Sequence, residues 1–223
     1  ELGISQFNLD EFEKAQQSWE KSLEVNLQQS RPDSSLLASQ YRLLPYTYLE
    51  QKKYEEARSF AEKALIQAQN QDNPVFLAFA LEALTKGEKE LGNWQAAIEY
   101  GNQALKAFEE AHIELLQGGV LLNIFQASQK LGQKEEANKA YQSMKILSQK
   151  DDRLIYKRNL QQADYQLAQQ NGEFARALKS YQSFISLRDS ILNEKNLRAL
   201  LDQQYKYEYI QKAFQDSVAI EQQ

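Results

Sequence analysis

Small and aromatic positions recur along this chain at a fixed step. The blocks NWQAA at 93–97, QKEEA at 133–137 and GEFARA at 172–177 share a small or polar turn, an aromatic or its replacement, and a closing alanine. Ala57, Ala97, Ala137 and Ala177 follow one another at 40 residues, and DEFEKA at 10–15 ends on Ala15, 42 before Ala57. Self-similarity at such a period marks an array of stacked helical units, each burying its apolar side on its neighbours. Such an array is first of all a surface, so binding is its expected activity and chemistry would need special proof.

Within each unit the pattern predicts two helices. Second helices are expected to begin at Tyr54, Trp94 and Phe174, each aromatic being followed at +3 by Ala. Ala57 with Ala64, and Ala97 with Ala104, keep a spacing of seven. Residues seven apart share a helix face, so the alanines predict close helix approach and the aromatics predict filling beside them. First helices are expected near 34–51, 74–91, 112–131 and 153–170. Gly92, Gly132 and Gly172 end them as C-terminal glycines do. Pro32 and Pro74 sit at helix starts, with Asp33 and Asp72 as side-chain caps, and Asp151-Asp152 reads as another cap. Pro45 falls inside an apolar helix, where it should kink the helix or remove a hydrogen bond.

The last stretch changes character. After SLRDSILNEKN at 186–196 the turn signals stop. Leu197, Leu200, Tyr207, Phe214 and Val218 fit alternating steps of 3 and 4, with Gln204 and Gln211 completing the frame. That is a short heptad seam with polar interruptions. Two arrangements fit it: a helix that projects and pairs with a second copy, or a helix that folds back to cap the last repeat.

Composition narrows the class. With 8 Gly, 3 Pro and 30 Gln among 223 residues, beside abundant Ala, Leu, Glu and Lys, the chain is rich in helix formers and reads as all-α. A net charge of −5 argues against a nucleic-acid footprint. The absence of Cys excludes disulfides and thiolate chemistry. No run approaches the 18 apolar residues of a membrane span. The chain starts at Glu1, its one Met is Met144, and its first repeat lacks most of a leading helix. It is therefore expected to be a piece of a longer protein. Nor is a catalytic or metal cluster legible: His112 stands alone, and Gly118-Gly119 has neither the strand nor the Lys of a phosphate loop. Those two glycines instead predict close helix packing, and neither a cofactor nor a metal is expected.

The run Leu91-Gly92-x-Trp94-x-x-Ala97, followed by Ala104-Leu105, resembles the tetratricopeptide repeat (TPR). Leu131-Gly132 with Ala137, and Gly172-x-Phe174-x-x-Ala177-Leu178, repeat it, while Lys134 replaces the aromatic and Pro45 a small residue. The resemblance covers about 1–190 and implies an α-solenoid of about five helical hairpins, the first truncated, followed by a C-terminal linker helix at 191–223. The segment SFISLRDSILNEKNLRALLDQQYKYEY at 183–209 is similar to the stretch after the TPR array in membrane signalling proteins of Bacteroidetes. That similarity implies an extracytoplasmic, non-catalytic sensor and dimerisation module. It would pass a signal through its last helix to a membrane-linked histidine kinase or nucleotide cyclase. A free-standing cytosolic adaptor for a peptide or partner protein is the alternative.

In TPR arrays the first helices line the concave face. Carried onto this sequence, the inward set is Arg42 and Tyr46; Glu82, Lys86 and Lys89; Gln126, Gln129 and Lys130; and Gln162, Gln166 and Gln169. The stripe is polar, basic in its middle and amide-rich at its far end. Cations there suit a carboxylate terminus or acidic peptide, and amides suit an extended backbone. The expected partners are thus a peptide or protein in the groove and, through the last helix, a second copy.

Overall fold

A computed structural model describes residues 2–221 apart from 115; the side chains at 2, 199, 202, 203 and from 206 onward lie outside the description. Among the described residues there are ten helices and no strand: α1 Leu2–Asn8, α2 Phe12–Leu27, α3 Ser34–Glu50, α4 Tyr54–Asn70, α5 Pro74–Leu91, α6 Trp94–Glu110, α7 Gln117–Leu131, α8 Lys134–Lys150, α9 Leu154–Gln170 and α10 Phe174–Glu221. They form five hairpins in chain order, each packed on the next. Consecutive first helices touch one another, α3 with α5, α5 with α7 and α7 with α9, whereas the second helices have no comparable contacts among themselves. The first helices therefore lie on the inside of the curve.

Turn chemistry sets the units. Between first and second helices the chain passes through one left-handed residue, Gly92, Gly132 or Gly172, where glycine avoids the Cβ clash. Asp10 and Lys52 take the same left-handed conformation in the two earlier units. Asp33 caps α3 as expected, its carboxylate accepting from the amides of Ser35 and Leu36. At α5 the cap is Asn73, not Asp72: Asn73 accepts from the Phe76 amide, and Asp72 is itself left-handed. Asp151 does not cap α9 either, since its side chain is taken by the backbone and guanidinium of Arg153.

Two further expectations change. The third full unit's first helix starts at Gln117 rather than near 112, because His112 takes a φ of 54° and the Tyr156 hydroxyl holds the Glu114 carbonyl at 2.7 Å in the loop. Pro45 leaves α3 continuous; its missing N–H strips the Tyr41 carbonyl of its helical partner without ending the helix.

The period-40 alanines serve the packing they predict. Ala15, Ala57, Ala97, Ala137 and Ala177 are all buried, as are Ala64 and Ala104. Tyr54 and Trp94 are half-covered, but Phe174 is 74% exposed, because among the described residues no further first helix stands in front of it. The segment after the last hairpin continues α10 without a break to Glu221. Beyond the last hairpin, Lys195 pairs with Asp10 in the α1–α2 turn, bringing the two ends of the array together. Of the seam residues, Leu197 and Leu200 are exposed, while Tyr207, Phe214 and Val218 lie outside the described side chains.

The adjacent glycines of α7 divide sharply. A Cβ on Gly118 would lie 2.8 Å from Tyr156 Cδ1 of α9, whereas one on Gly119 meets nothing within 4 Å. Gly118→Ala is expected to lose about 1–3 kcal/mol through overpacking. Gly119→Ala should gain up to about 1 kcal/mol from the stiffer helical backbone. Paired thermal or urea melts check the opposite signs.

Candidate functional site

The inner face is built by side chains that reach sideways from one first helix to the next. This follows from the repeat: equivalent positions on neighbouring first helices stand side by side. Tyr46 on α3 donates to Glu82 Oε2 on α5 at 2.5 Å and lies 3.3 Å from the Phe79 carbonyl. Lys86 on α5 meets Glu50 on α3 at 2.8 Å. Farther along, Lys89 donates to Gln126 on α7 at 3.1 Å, Gln126 to Gln166 on α9 at 3.3 Å, and Gln129 to Gln170 at 3.1 Å.

The half nearest α3 is largely self-neutralised. Burial pushes the Glu82 carboxyl above the usual carboxylate range, and the Tyr46 hydrogen bond and Lys86 oppose that shift only in part. The Tyr46 hydroxyl is raised well above an ordinary phenol, first by burial and then by Glu82. Arg42 differs. Its guanidinium lies over the rings of Phe79 and Phe76, with centroids at 5.0 and 5.9 Å, and its Nε is buried without a hydrogen-bond partner. Burial lowers its pKa, but an arginine remains charged in that setting. Among the described residues it has no carboxylate partner.

The other half forms a cavity of about 360 Å³ between α5, α7 and α9. Its walls include six of the expected residues: Lys89, Gln126, Gln129, Lys130, Gln166 and Gln169. The sequence reading missed Glu90, Trp94 and Gln170, which complete the wall. Glu90 and Gln170 sit one residue beyond expected positions, and the Trp94 ring, expected to fill space beside the alanines, also lines the cavity. Arg42, Tyr46, Glu82 and Lys86 form the separate cluster nearer α3, and Gln162 lies on α9 outside the cavity. Lys89 is held by Glu90 at 2.8 Å, while Lys130 is exposed. Each amide group carries two donors and two acceptor lone pairs. The lateral bonds use only part of that capacity, so the Gln ladder can bond a ligand without first being dismantled.

Residues 46–110 match the family model for the tetratricopeptide repeat. No curated protein sequence matches the chain. Solved structures share its fold. BtubC (BKLC) from P. vanneervenii is 18% identical, with a TM-score of 0.64 over 85% of this chain and 78% of that one. Aspartyl phosphate phosphatase F from Bacillus subtilis is 18% identical, with a TM-score of 0.65 over 88% and 58%. A signal transduction ATPase (STAND) protein with a tetratricopeptide repeat sensor, from Pyrococcus horikoshii, is 19% identical, with a TM-score of 0.64 over 84% and 30%. The chain thus spans less than two thirds of the latter two proteins. At these identities the likeness is one of fold: a TPR-like α-solenoid.

Glu82 yields a pH-dependent prediction. A carboxyl whose folded pKa is raised favours the folded state at low pH, and that contribution is lost as pH rises through the folded value. Glu82→Gln keeps an acceptor for Tyr46 and removes the buried charge. It is expected to raise stability at neutral pH, with the advantage over wild type vanishing as pH falls below the ordinary carboxylate range. Urea melts across that range check both the sign and the convergence.

Proposed function

We propose that this array is a non-catalytic binding module that takes an extended peptide segment of a partner protein along its inner face. The observation that carries the reading is the amide-lined cavity between α5, α7 and α9, with Lys89 and Lys130 at its wall. An extended backbone presents alternating N–H and C=O groups, and a ladder of Gln side chains can answer both. Arg42, lacking a carboxylate of its own, adds a preference for an acidic side chain or terminus at the α3 end. A tetratricopeptide fold is in general a protein-interaction surface, and the Pyrococcus protein's repeats are described as a sensor. We extend that idea to this chain as the sensor region of a bacterial signalling protein. Occupancy of the groove would alter the curvature of the array, and α10 would carry the change outward to a membrane-linked kinase or cyclase domain, with the array itself outside the cytoplasm. The closeness of the array's two ends at Lys195 and Asp10 supports a link between curvature and the position of α10.

Peptide arrays of acidic, basic and neutral composition, followed by calorimetry, test the groove. Acidic peptides are expected to bind best. Joint Gln126→Leu and Gln166→Leu substitution should weaken binding by at least about tenfold, the worth of one or two hydrogen bonds. Equal binding by wild type and this variant would remove the groove as the site. Reading the gene onward from Gln223 tests the sensor role separately: an apolar span continuing from α10 supports it, and a stop codon defeats it.

A further inference from the structure

The cavity between α5, α7 and α9 has a hydrogen-bonding polarity, and the lysine at its α5 wall sets it. An ammonium only donates. Lys89, held by Glu90 at 2.8 Å, donates to Gln126 Oε1 at 3.1 Å. That fixes the way the Gln126 amide points: its Nε2 is turned to α9, where it donates to Gln166 Oε1 at 3.3 Å. Gln166 is fixed in turn, its oxygen engaged and its Nε2 group left as the open end of the chain. The neighbouring pair runs the same way, Gln129 Nε2 donating to Gln170 Oε1 at 3.1 Å. At each step an acceptor is consumed and the last group is a donor, and bonds in such a chain polarise one another in one sense.

The rest of the wall adds donors. Lys130 is exposed and has no ion pair or hydrogen bond among the described residues. Trp94 is half-covered, and its indole N–H, a group that can only donate, has no partner among the described residues. Trp94 is also the one apolar side chain on the wall of this cavity among the described residues. Its own unit holds the ring: one side packs on the core, and the six-membered ring lies over the Gly92 turn, Cζ2 being 3.8 Å from where a Cβ would stand. Packing does not demand an aromatic there. One period later Lys134 takes the same turn position, exposed, and Ala137 is still buried.

Resting on the peptide-binding reading of the groove, we infer that the ligand segment in this cavity is built around proline. It lies in an extended, polyproline-type conformation, a proline ring against Trp94 and its carbonyls accepting from Gln166, the indole and Lys130. A donor-rich wall leaves the N–H groups of an ordinary extended backbone facing groups that cannot accept, and an unanswered polar group is costly once water is excluded. Proline has no N–H and keeps its carbonyl. Its ring offers a compact apolar surface to the indole. Aromatic-lined grooves take polyproline-type segments in this way, because such a segment has little chain entropy left to lose. A volume of about 360 Å³ is at the small end of ligand pockets, which run from about 300 to about 1,000 Å³, and it suits a short run of residues.

Calorimetry on the full chain tests this with short blocked peptides of Ser and Glu, alike except for a central Pro-Pro or Ala-Ala. The Pro-Pro peptide is expected to bind about three- to tenfold more tightly, the worth of one polar group no longer left unanswered. Lys89→Gln removes the group that orients the ladder, since an amide accepts as well as donates, and should bring the two affinities together. Emission reports on the ring itself. The chain has 2 Trp, and Trp19, in another hairpin, is 7% exposed, so a blue shift on saturation with the Pro-Pro peptide belongs to Trp94. Equal affinity of wild type for the two peptides overturns the inference. So does a proline preference that survives Lys89→Gln, or an emission unchanged at saturation. Circular dichroism checks the fold. Should Lys89→Gln lose helicity, Trp94→Leu takes its place, removing ring and donor together, and is expected to erase the same preference. Joint Gln126→Leu and Gln166→Leu substitution separates the two readings. If it weakens both peptides while wild type shows no preference for proline, the groove stands and the proline assignment falls. If it weakens neither, the groove falls and the proline assignment with it.

Discussion

Close approach between each second helix and the first helix that follows it is the constraint on which the rest of this molecule depends. Two helical backbones come that near only where the intervening side chains are small. Ala97 and Ala137 are buried, and Gly101 of α6 has no room for a Cβ against Ile124 of α7; between first helices, Gly118 of α7 is as tight against Tyr156 of α9. Dispersion and apolar burial fall off steeply with a gap of even half an ångström. Fixing these small residues at one period therefore fixes the spacing of the units, and with it the lateral distance between first helices. That distance is what allows Gln126 to reach Gln166 and Tyr46 to reach Glu82.

The inner face then divides by charge. Near α3 the ionisable groups satisfy one another, apart from Arg42, which rests on two phenyl rings instead of a carboxylate. A guanidinium tolerates that position because it is weakly hydrated and stacks on aromatic faces. Farther along, glutamines replace charges. Amides cost less to bury than ions and both donate and accept, so this half is adaptable where the first half is committed. A groove of this kind grips the backbone of a ligand in one part and selects for charge in another.

The α10 helix shows how the repeat rule and its interruption produce different surfaces. Through Ala177 and Ser180 it packs on α9 like any second helix. On its other side Phe174 and Leu178 stand exposed, since α10 runs on where the earlier second helices end in a turn. The extension past the last hairpin then reaches the opposite end of the array, where Lys195 meets Asp10. An exposed ion pair of this type contributes little stability, but it marks how far the array curls.

The sequence by itself determined the all-helical fold, the 40-residue unit and most of the element boundaries, because alanine spacing, left-handed glycines and the Asp33 cap are local chemistry. The inward set came from the resemblance to TPR arrays rather than from the period, and six of its residues line one cavity. Caps decided by a single rotamer were not legible: Asn73 took the place of Asp72, and Arg153 drew Asp151 away from the helix end. The late start of α7 was hidden as well, since it depends on Tyr156 reaching back 42 residues to hold a loop carbonyl. Only the tertiary structure could decide which polar groups pair laterally, that Trp94 belongs to the cavity wall and that Phe174 stands uncovered. Periodicity specifies the face of a helix on which a residue lies, but burial and pairing depend on what stands opposite, and that is set by the packing of units far apart in the chain.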